Sequence, residues 1–375
     1  MPSVLAATSA VESIKSFVNT ICQPHWFLIL SVAGLTIFLI GYRWFTRPAV
    51  AGVLAAVVVL AFLASCFDEN FILIVKKADN VPIIMLLFVV GFFLWLAFRQ
   101  AAVNDRRMEE GKPLTEAGSD DKVLVWPDLV YTELIALVLC TAFLIVWAIV
   151  LRAPLEQPAD PNVAPNPAKA PWYFLGLQEM LVYFDPWLAG VVFPGLIIVG
   201  LIAIPYMDKN PRGNGYYTFK ERPFAITTFL FGFVVLWVVL IIFGTFLRGP
   251  NWNFFGPYEY WDLHRPAALL NREPRDLFWI ELLGVPIPEK NWWFIPSYLV
   301  RELPGIFLLA GYFLLGPLVL RMLFFRKLSR QMGFMRFSVM SMLLLVMLLM
   351  PIKMVLRWTM NLHYIVGITE WFFNV

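Results

Sequence analysis

The segment LVYTELIALVLCTAFLIVWAIVL, residues 129–151, contains one charged residue, Glu133. About 20 helical residues of this kind are enough to cross the hydrocarbon layer of a membrane. Because a soluble domain has no place for so long an uninterrupted apolar surface, the segment predicts a membrane-spanning helix.

Seven further apolar segments of similar length lie on both sides of it: 26–43, 49–66, 82–98, 187–206, 226–247, 305–320 and 338–356. Sixty per cent of the residues are hydrophobic and 15% are charged. The mean hydropathy is +0.73. We therefore expect an all-α fold, a polytopic transmembrane helix bundle with about eight spans and long outer loops. Segments 49–66 and 82–98 could instead form a re-entrant pair across their short charged connection, although two full spans are preferred.

The basic residues predict how the chain is oriented. Of the 29 lysines and arginines, 16 lie in four connections: 43–48, 99–128, 207–225 and 321–337. Since short cytoplasmic loops carry an excess of Lys and Arg, these connections are expected to be cytoplasmic. Both termini and the two long loops, 152–186 and 248–304, are then on the outer side. The net charge of only +3, with no basic run interleaved with aromatic residues, argues against nucleic acid as a partner.

Both outer loops have a distinctive composition. The first contains a proline at its last residue, Pro186, and six more before its aromatic end, which disfavour regular helix: Pro154, Pro158, Pro161, Pro165, Pro167 and Pro171. The second is rich in aromatic residues, including Trp252, Tyr258, Trp261, Trp292 and Trp293, which suit the headgroup layer or the surface of a partner.

The end of the proline-rich loop carries the candidate chemistry. If the chain is helical from Trp172, then Gly176, Glu179 and Tyr183 share a face with Trp172. Glu179 would then point into a pocket built by Trp172 and Tyr183. Burial favours the protonated form of a carboxyl group, which suits a residue that accepts a proton and releases it outward. The alternative is that Glu179 faces water and the aromatic residues form an interfacial belt.

The three histidines and the last two cations of the final span lie near the outer ends of predicted spans. His25, His264 and His363 are expected at or beyond the outer ends of spans, and no two of them share one helix. Each is expected to be a surface or interface residue rather than a ligand. Lys353 and Arg357 lie one turn apart near the outer end of the last span, where we expect them to extend towards the headgroups.

Six short motifs occur in a defined order between residues 123 and 262. They are Trp126-Pro127-Asp128-Leu129-Val130-Tyr131, Pro171-Trp172-Tyr173-Phe174, Phe184-Asp185-Pro186-Trp187, Ile204-Pro205-Tyr206, Asn210-Pro211 and Arg248-Gly249-Pro250-Asn251-Trp252. In this order the region resembles the C-terminal half of cytochrome b, which is the separate subunit IV of the cytochrome bf complex. The similarity divides the chain into a three-helix membrane extension (1–122), the cytochrome b-like region (123–262), and an outer aromatic segment followed by two spans (263–375).

The resemblance implies a subunit of a bacterial quinol-oxidising complex of the bc or bf type in the inner membrane. In that family the second motif lines the outer site where quinol is oxidised. The resemblance implies quinol binding by Pro171, Trp172 and Tyr173, and the helical spacing adds Tyr183 to this set. The candidate catalytic residues are Tyr173 and, from the same spacing, Glu179. The family's usual glutamate precedes Trp-Tyr, but this chain has Pro171 there, so Glu179 is an inferred replacement. The quinone type is left open, with menaquinone as one candidate.

In that family, two pairs of axial histidines hold the b-hemes in the N-terminal half. Because this chain has three histidines and no such pairs, the hemes are expected on a partner, a subunit equivalent to the N-terminal half of cytochrome b. A Rieske iron–sulfur protein, a c-type cytochrome and membrane lipids are the other implied partners. The assembly is a hetero-oligomer, with a dimeric complex as one option, and this chain is not catalytic alone.

Two other functions are compatible with the sequence. The chain could be a structural membrane anchor without a working quinol site. This is possible because Pro171 stands where the family usually has a glutamate. A secondary transporter fits less well, because the sequence has no convincing internal repeat and almost no charge near the centres of its spans.

Overall fold

The computed structural model describes residues 2–118, 122–151, 158, 160–162, 164–212, 215–266, 270–371 and 373–375. Fourteen helices are labelled here: α1 (Pro2–Ile21), α2 (Pro24–Ile40), α3 (Tyr42–Phe45), α4 (Pro48–Ser65), α5 (Glu69–Val75), α6 (Val81–Glu109), α7 (Val125–Val150), α8 (Trp172–Met180), α9 (Leu188–Met207), α10 (Pro223–Leu247), α11 (Ser297–Arg301), α12 (Leu303–Phe324), α13 (Arg326–Met332) and α14 (Phe334–Met360). Two short antiparallel strands, β1 (Gly367–Ile368) and β2 (Phe373–Asn374), follow α14. The start of the proline-rich loop, including Pro154, lies outside the described residues.

Seven of these helices are long and apolar enough to cross a membrane: α4, α6, α7, α9, α10, α12 and α14. An eighth apolar helix, α2, is 17 residues long and joins α1 at an angle of 80°. The chain is therefore a multi-pass membrane protein, and the expected all-α polytopic bundle of about eight spans is confirmed. Because α4 and α6 are each long enough to cross, they favour two spans over the re-entrant pair.

The spans differ in how much protein surrounds them. Within their apolar windows, 39% of α10 and 33% of α14 is buried, whereas the windows of α4 and α7 have no buried residue. The main core forms where α10 meets α8 and α14, around the fully buried Tyr183, Phe184 and Phe243. Helices α10 and α14 thus form the interior of the bundle, and α4 and α7 present apolar surface to their surroundings.

The four basic connections meet at one end of the bundle, which we call the basic end. Glu109, at the end of α6, accepts two hydrogen bonds from Arg43 at 2.8 and 3.0 Å and also pairs with Lys220. The Arg336 guanidinium donates to the Tyr206 carbonyl at 2.9 Å. The last turn of α6 therefore lies at the same end of the bundle as cations from three connections, 43–48, 207–225 and 321–337.

The opposite end, which we call the loop end, carries the two long connections. The backbone N–H of Tyr258 donates to the Asn19 side-chain oxygen at 3.1 Å, and the hydroxyls of Ser65 and Tyr258 are 2.7 Å apart. Helix α8 lies at this end, packed against the last turns of α10. Gly244 permits this contact, because a Cβ at that position would be 3.0 Å from the Leu175 carbonyl oxygen.

Two features of the fold differ from the sequence-based expectations. Residues 2–21 form helix α1, for which no element was predicted. Lys353 does not extend towards the headgroups: its side chain is fully buried and its Nζ donates to the Val375 carbonyl at 3.2 Å. The carboxyl-terminal segment folds back over α14 and encloses this lysine, which a hydropathy pattern does not predict.

Candidate functional site

Helix α8 places Glu179 in the interior of the loop end, where its side chain is fully buried. Arg248, which follows α10, contacts both carboxylate oxygens: its Nε donates to Oε2 at 2.9 Å and its Nη2 donates to Oε1 at 2.7 Å. This is a two-point ion pair with its partners 69 residues apart in sequence. Glu179 is therefore a fixed, charge-compensated carboxylate rather than one that faces water.

Two further side chains complete the surroundings of Glu179. The Tyr183 hydroxyl donates to Oε1 at 3.0 Å, and the Trp252 indole N–H donates to Oε2 at 3.1 Å. Each oxygen thus accepts two hydrogen bonds, an arrangement that satisfies the ionised form of the group. Glu179 and Tyr183 lie together, as their helical spacing predicts. Arg248 and Trp252 form the rest of this cluster, although the sequence pointed to Arg248 only as part of a family motif and placed Trp252 at the headgroup layer or a partner surface.

Burial and the ion pair shift the pKa values of two members of the cluster, Tyr183 and Arg248. Burial, followed by the nearby Glu179 charge, raises the pKa of Tyr183 well above its usual range. Burial alone would lower the pKa of Arg248, but attraction to Glu179 outweighs it, and the net effect raises this pKa. Both groups therefore keep their protons near neutral pH, Tyr183 as a neutral phenol and Arg248 as a cation.

A tight turn after α10 holds Arg248 and Trp252 in place. Asn251 and Trp252 both have positive φ, at 54° and 55°, and Arg248 Nη1 donates to the Trp252 carbonyl at 2.5 Å. Gly249 is needed here, because a Cβ would lie 2.6 Å from the ring of Phe255. The motif Arg248-Gly249-Pro250-Asn251-Trp252 thus encodes a turn that delivers two hydrogen-bond donors to Glu179.

The first turn of α8 is exposed, in contrast to the buried face of its later residues. We call Pro171, Trp172, Tyr173 and Phe174 the aromatic edge; the exposed fractions of its three rings are 36%, 53% and 50%, respectively. Trp172 therefore does not close the pocket around Glu179 that the helical spacing suggested, since Arg248, Trp252 and Tyr183 occupy that place. The cluster fixes the buried side of α8, while the aromatic edge presents a hydrophobic surface with one phenol.

Lys169 lies beside this site and was not singled out by sequence analysis as a candidate. Its Nζ donates to the Thr245 carbonyl at 2.8 Å and lies 5.1 Å from the ring centre of Trp261. Burial, followed by repulsion from Lys77, lowers the pKa of Lys169 to about 7. Gln178 holds the neighbouring backbone by accepting from the Ala170 N–H and donating to the Ala168 carbonyl, both at 2.8 Å.

The histidines are dispersed in the structure. His25 is at the start of α2 beside Trp26, His264 is exposed in the second long loop, and His363 follows α14 beside Tyr364. Burial and the nearby Arg357 and Lys353 charges lower the pKa of His363 to about 4. Across the described ranges, no group of three or more His, Cys, Asp or Glu residues is arranged to hold a metal ion.

The chain is therefore a polytopic membrane protein. It has a buried Glu179–Arg248 cluster next to the exposed aromatic first turn of α8. Residues 158–258 match the family model described as cytochrome b(C-terminal)/b6/petD. The resemblance stated from the sequence motifs is therefore confirmed for this part of the chain, which contains α8, the Glu179 cluster and the Arg248 turn. No solved structure matches the chain.

Proposed function

We propose that this chain is a heme-free membrane subunit of a bacterial quinol:cytochrome c oxidoreductase of the bc or bf type, and that it forms part of the outer quinol-oxidation site. The observation that carries the proposal is the match of residues 158–258 to the C-terminal part of cytochrome b. All residues of the aromatic edge and of the Glu179 cluster fall within the matched region. They lie at the loop end, opposite the basic connections, in agreement with an outer location.

The aromatic edge is suited to one face of a quinol. Trp172 and Phe174 supply flat apolar area for a ring and its isoprenoid tail, and the Tyr173 hydroxyl supplies a hydrogen bond to a quinol oxygen. Pro171 immediately precedes α8 and fixes the entry of the chain into the edge. Tyr183 acts from the buried side, where it supports Glu179.

Two roles are proposed for Glu179. In the first it accepts a proton during quinol oxidation, and Arg248 and Tyr183 set its position. In the second it anchors α8 to the turn after α10 and takes no proton. The four hydrogen bonds it accepts favour the second role, and this same observation supports the alternative function of a structural anchor without a working quinol site.

The dispersed histidines support a division of labour within the complex. A partner subunit equivalent to the N-terminal half of cytochrome b carries both b-hemes. A Rieske iron–sulfur protein takes the first electron near Tyr173, and a c-type cytochrome accepts it next. The chain lies in the inner membrane with both termini outside, and it acts only within this hetero-oligomer.

Quinol oxidation by the purified complex tests the proposal. Trp172→Ala and Tyr173→Ala should each lower the rate about fivefold, because each removes roughly 1 kcal/mol of contact with the quinol ring. Trp293→Ala is the matched control, since Trp293 is 89% exposed in the other long loop and should leave the rate unchanged. Normal rates in both edge variants would instead support the structural anchor.

A further inference from the structure

Helix α1 crosses the loop end of the bundle almost at right angles to α2. Phe27, near the start of α2, contacts Phe243 near the loop end at a ring distance of 5.5 Å. Tyr42, just beyond α2, donates to Asp105 at the basic end at 2.6 Å. Helix α2 thus runs from one end of the bundle to the other. Because α1 is bent from it by 80°, α1 lies close to the plane of the membrane surface.

The side chains in the later part of α1, from Ala10 to Ile21, divide into three sectors around the helix. Val11, Ile14 and Phe17 form an apolar stripe and are 50%, 62% and 65% exposed. Glu12, Ser16 and Thr20 form a polar stripe on the opposite side.

The third sector of α1 contacts the rest of the chain. Lys15 pairs with the largely buried Asp68 at 2.7 Å. Asn19 accepts from the Tyr258 backbone and packs so close to Gly256 that a Cβ there would be 2.3 Å from the Asn19 oxygen. The protein therefore fixes the rotation of α1, and the apolar stripe is not the side that faces the bundle.

The apolar stripe continues onto the outward surface of α2. Trp26, Ile29 and Leu30 are 47%, 54% and 49% exposed. The exposed apolar surface of α2 is thus continuous with that of α1, which lies across the end of α2. A continuous surface of this shape matches a lipid monolayer, in which a spanning helix contacts the acyl chains and an interfacial helix lies at their upper boundary. A tryptophan at the corner between the two helices is at the depth that membrane proteins favour for this residue.

We infer that α1 is an interfacial helix whose stripe of Val11, Ile14 and Phe17 is embedded among the lipid acyl chains of the leaflet at the loop end. Its polar stripe faces water, and Lys15 and Asn19 link it to Asp68 and to the Gly256–Tyr258 segment. The lipid surface thereby helps to set the position of the loop that begins at Arg248. This role is independent of whether the aromatic edge binds quinol.

Depth-dependent fluorescence quenching tests the inference. Single cysteines replace Phe17 or Ser16 in the full chain, with Cys22, Cys66 and Cys140 changed to Ala, and carry a bimane label. The complex is reconstituted into phosphatidylcholine and phosphatidylglycerol vesicles containing a lipid with a nitroxide on its acyl chain. The label at Phe17→Cys should be quenched several-fold more strongly than the label at Ser16→Cys, which is the adjacent control on the polar stripe.

Three other results would overturn the inference. Equal lipid quenching at the two sites would mean that the stripe has no preferred contact with lipid. Stronger quenching by aqueous iodide at Phe17→Cys than at Ser16→Cys would place the stripe in water. Shielding of Phe17→Cys from both quenchers would mean that another protein surface covers it.

A second measurement on the unmodified chain removes any dependence on the cysteine variants. A phospholipid with a diazirine on its acyl chain should form adducts with the peptide that contains Val11, Ile14 and Phe17, and not with the exposed segment 262–265 of the second long loop. Adducts confined to α2 and the other spans would contradict an embedded α1.

Discussion

At the residue scale, Glu179 and Arg248 form the interaction on which the site most depends. The ion pair is buried, and its two partners come from α8 and from the turn after α10. A buried pair often adds little to stability compared with apolar residues, but loss of one partner leaves the other charge uncompensated. The expected effect of a substitution therefore depends on whether one or both charges are removed.

Arg248→Met should lower the free energy of unfolding by roughly 3–5 kcal/mol, because it leaves the Glu179 carboxylate buried without a cation. Glu179→Gln combined with Arg248→Met should recover a large part of this loss. Denaturant unfolding of the two variants and the parent in detergent would measure both. Lys112→Met, which removes an exposed pair with Glu110, is the control and should have little effect. Equal losses in the single and the double variant would contradict the account.

The partly buried Lys169 is expected to make the stability of the protein depend on pH. Its pKa falls from an ordinary value of 10.5 to about 7 in the folded chain, so between these values the unfolded chain binds more protons. The free energy of unfolding therefore rises with pH between about 7 and 10.5 because of Lys169. Lys169→Met should raise the melting temperature of the complex more at pH 7 than at pH 10. A shift of the same size at both values would show that burial of Lys169 does not disfavour its charge.

The sequence revealed only part of this site. The spacing of four between Glu179 and Tyr183 predicts their contact, because a helix brings such residues to one face. Arg248 is 69 residues from Glu179, and no local pattern links positions so far apart. The burial of Lys169 could not be predicted either, because the residues around it, Thr245 and Trp261, are distant in sequence.

At the element scale, apolar length predicted the spans well, and it placed their ends to within four residues except at the end of α6. Helix α6 continues to Glu109, well past its predicted end at residue 98, because Tyr42 and Arg43 satisfy the polar side chains of its last turns. Helix α1 was missed because Glu12, Lys15 and Asn19 lower its mean hydropathy. Its apolar residues recur every three or four positions, and a search for helical periodicity rather than for apolar length would have found it.

The turn after α10 is the element most sensitive to a small change. Gly249→Ala should destabilise the protein by ~1–3 kcal/mol, because the added methyl group would lie 2.6 Å from the buried ring of Phe255. The turn would shift and weaken the Arg248 contact with Glu179. Gly190→Ala, at a helical position with open space around it, is the control and should be neutral. Unfolding measurements that rank the two variants equally would contradict this description of the turn.

At the scale of the whole molecule, the basic end and the loop end are separated by the full length of the spans. The sequence predicted that the four basic connections lie on one side. The structure brings three of them together with the end of α6, through Glu109 and the Tyr206 carbonyl. Which side of the membrane each end faces follows from charge alone and stays a prediction.

Accessibility to a membrane-impermeant thiol reagent tests the orientation. Lys290 in the second long loop and Lys327 at the basic end are both exposed. In spheroplasts, Lys290→Cys should react without lysis and Lys327→Cys only after lysis, in a background without the three native cysteines. The reverse pattern would mean that the chain is inverted and that α8 faces the cytoplasm.

The central claim is that the aromatic edge of α8 contacts quinol within an electron-transfer complex. Irradiation of the assembled complex with an azido-quinone, followed by peptide mass spectrometry, tests it most directly. The account predicts an adduct within residues 169–180 of this chain that excess unlabelled quinol suppresses. Adducts confined to partner subunits, or an adduct on α8 that excess quinol does not suppress, would contradict it.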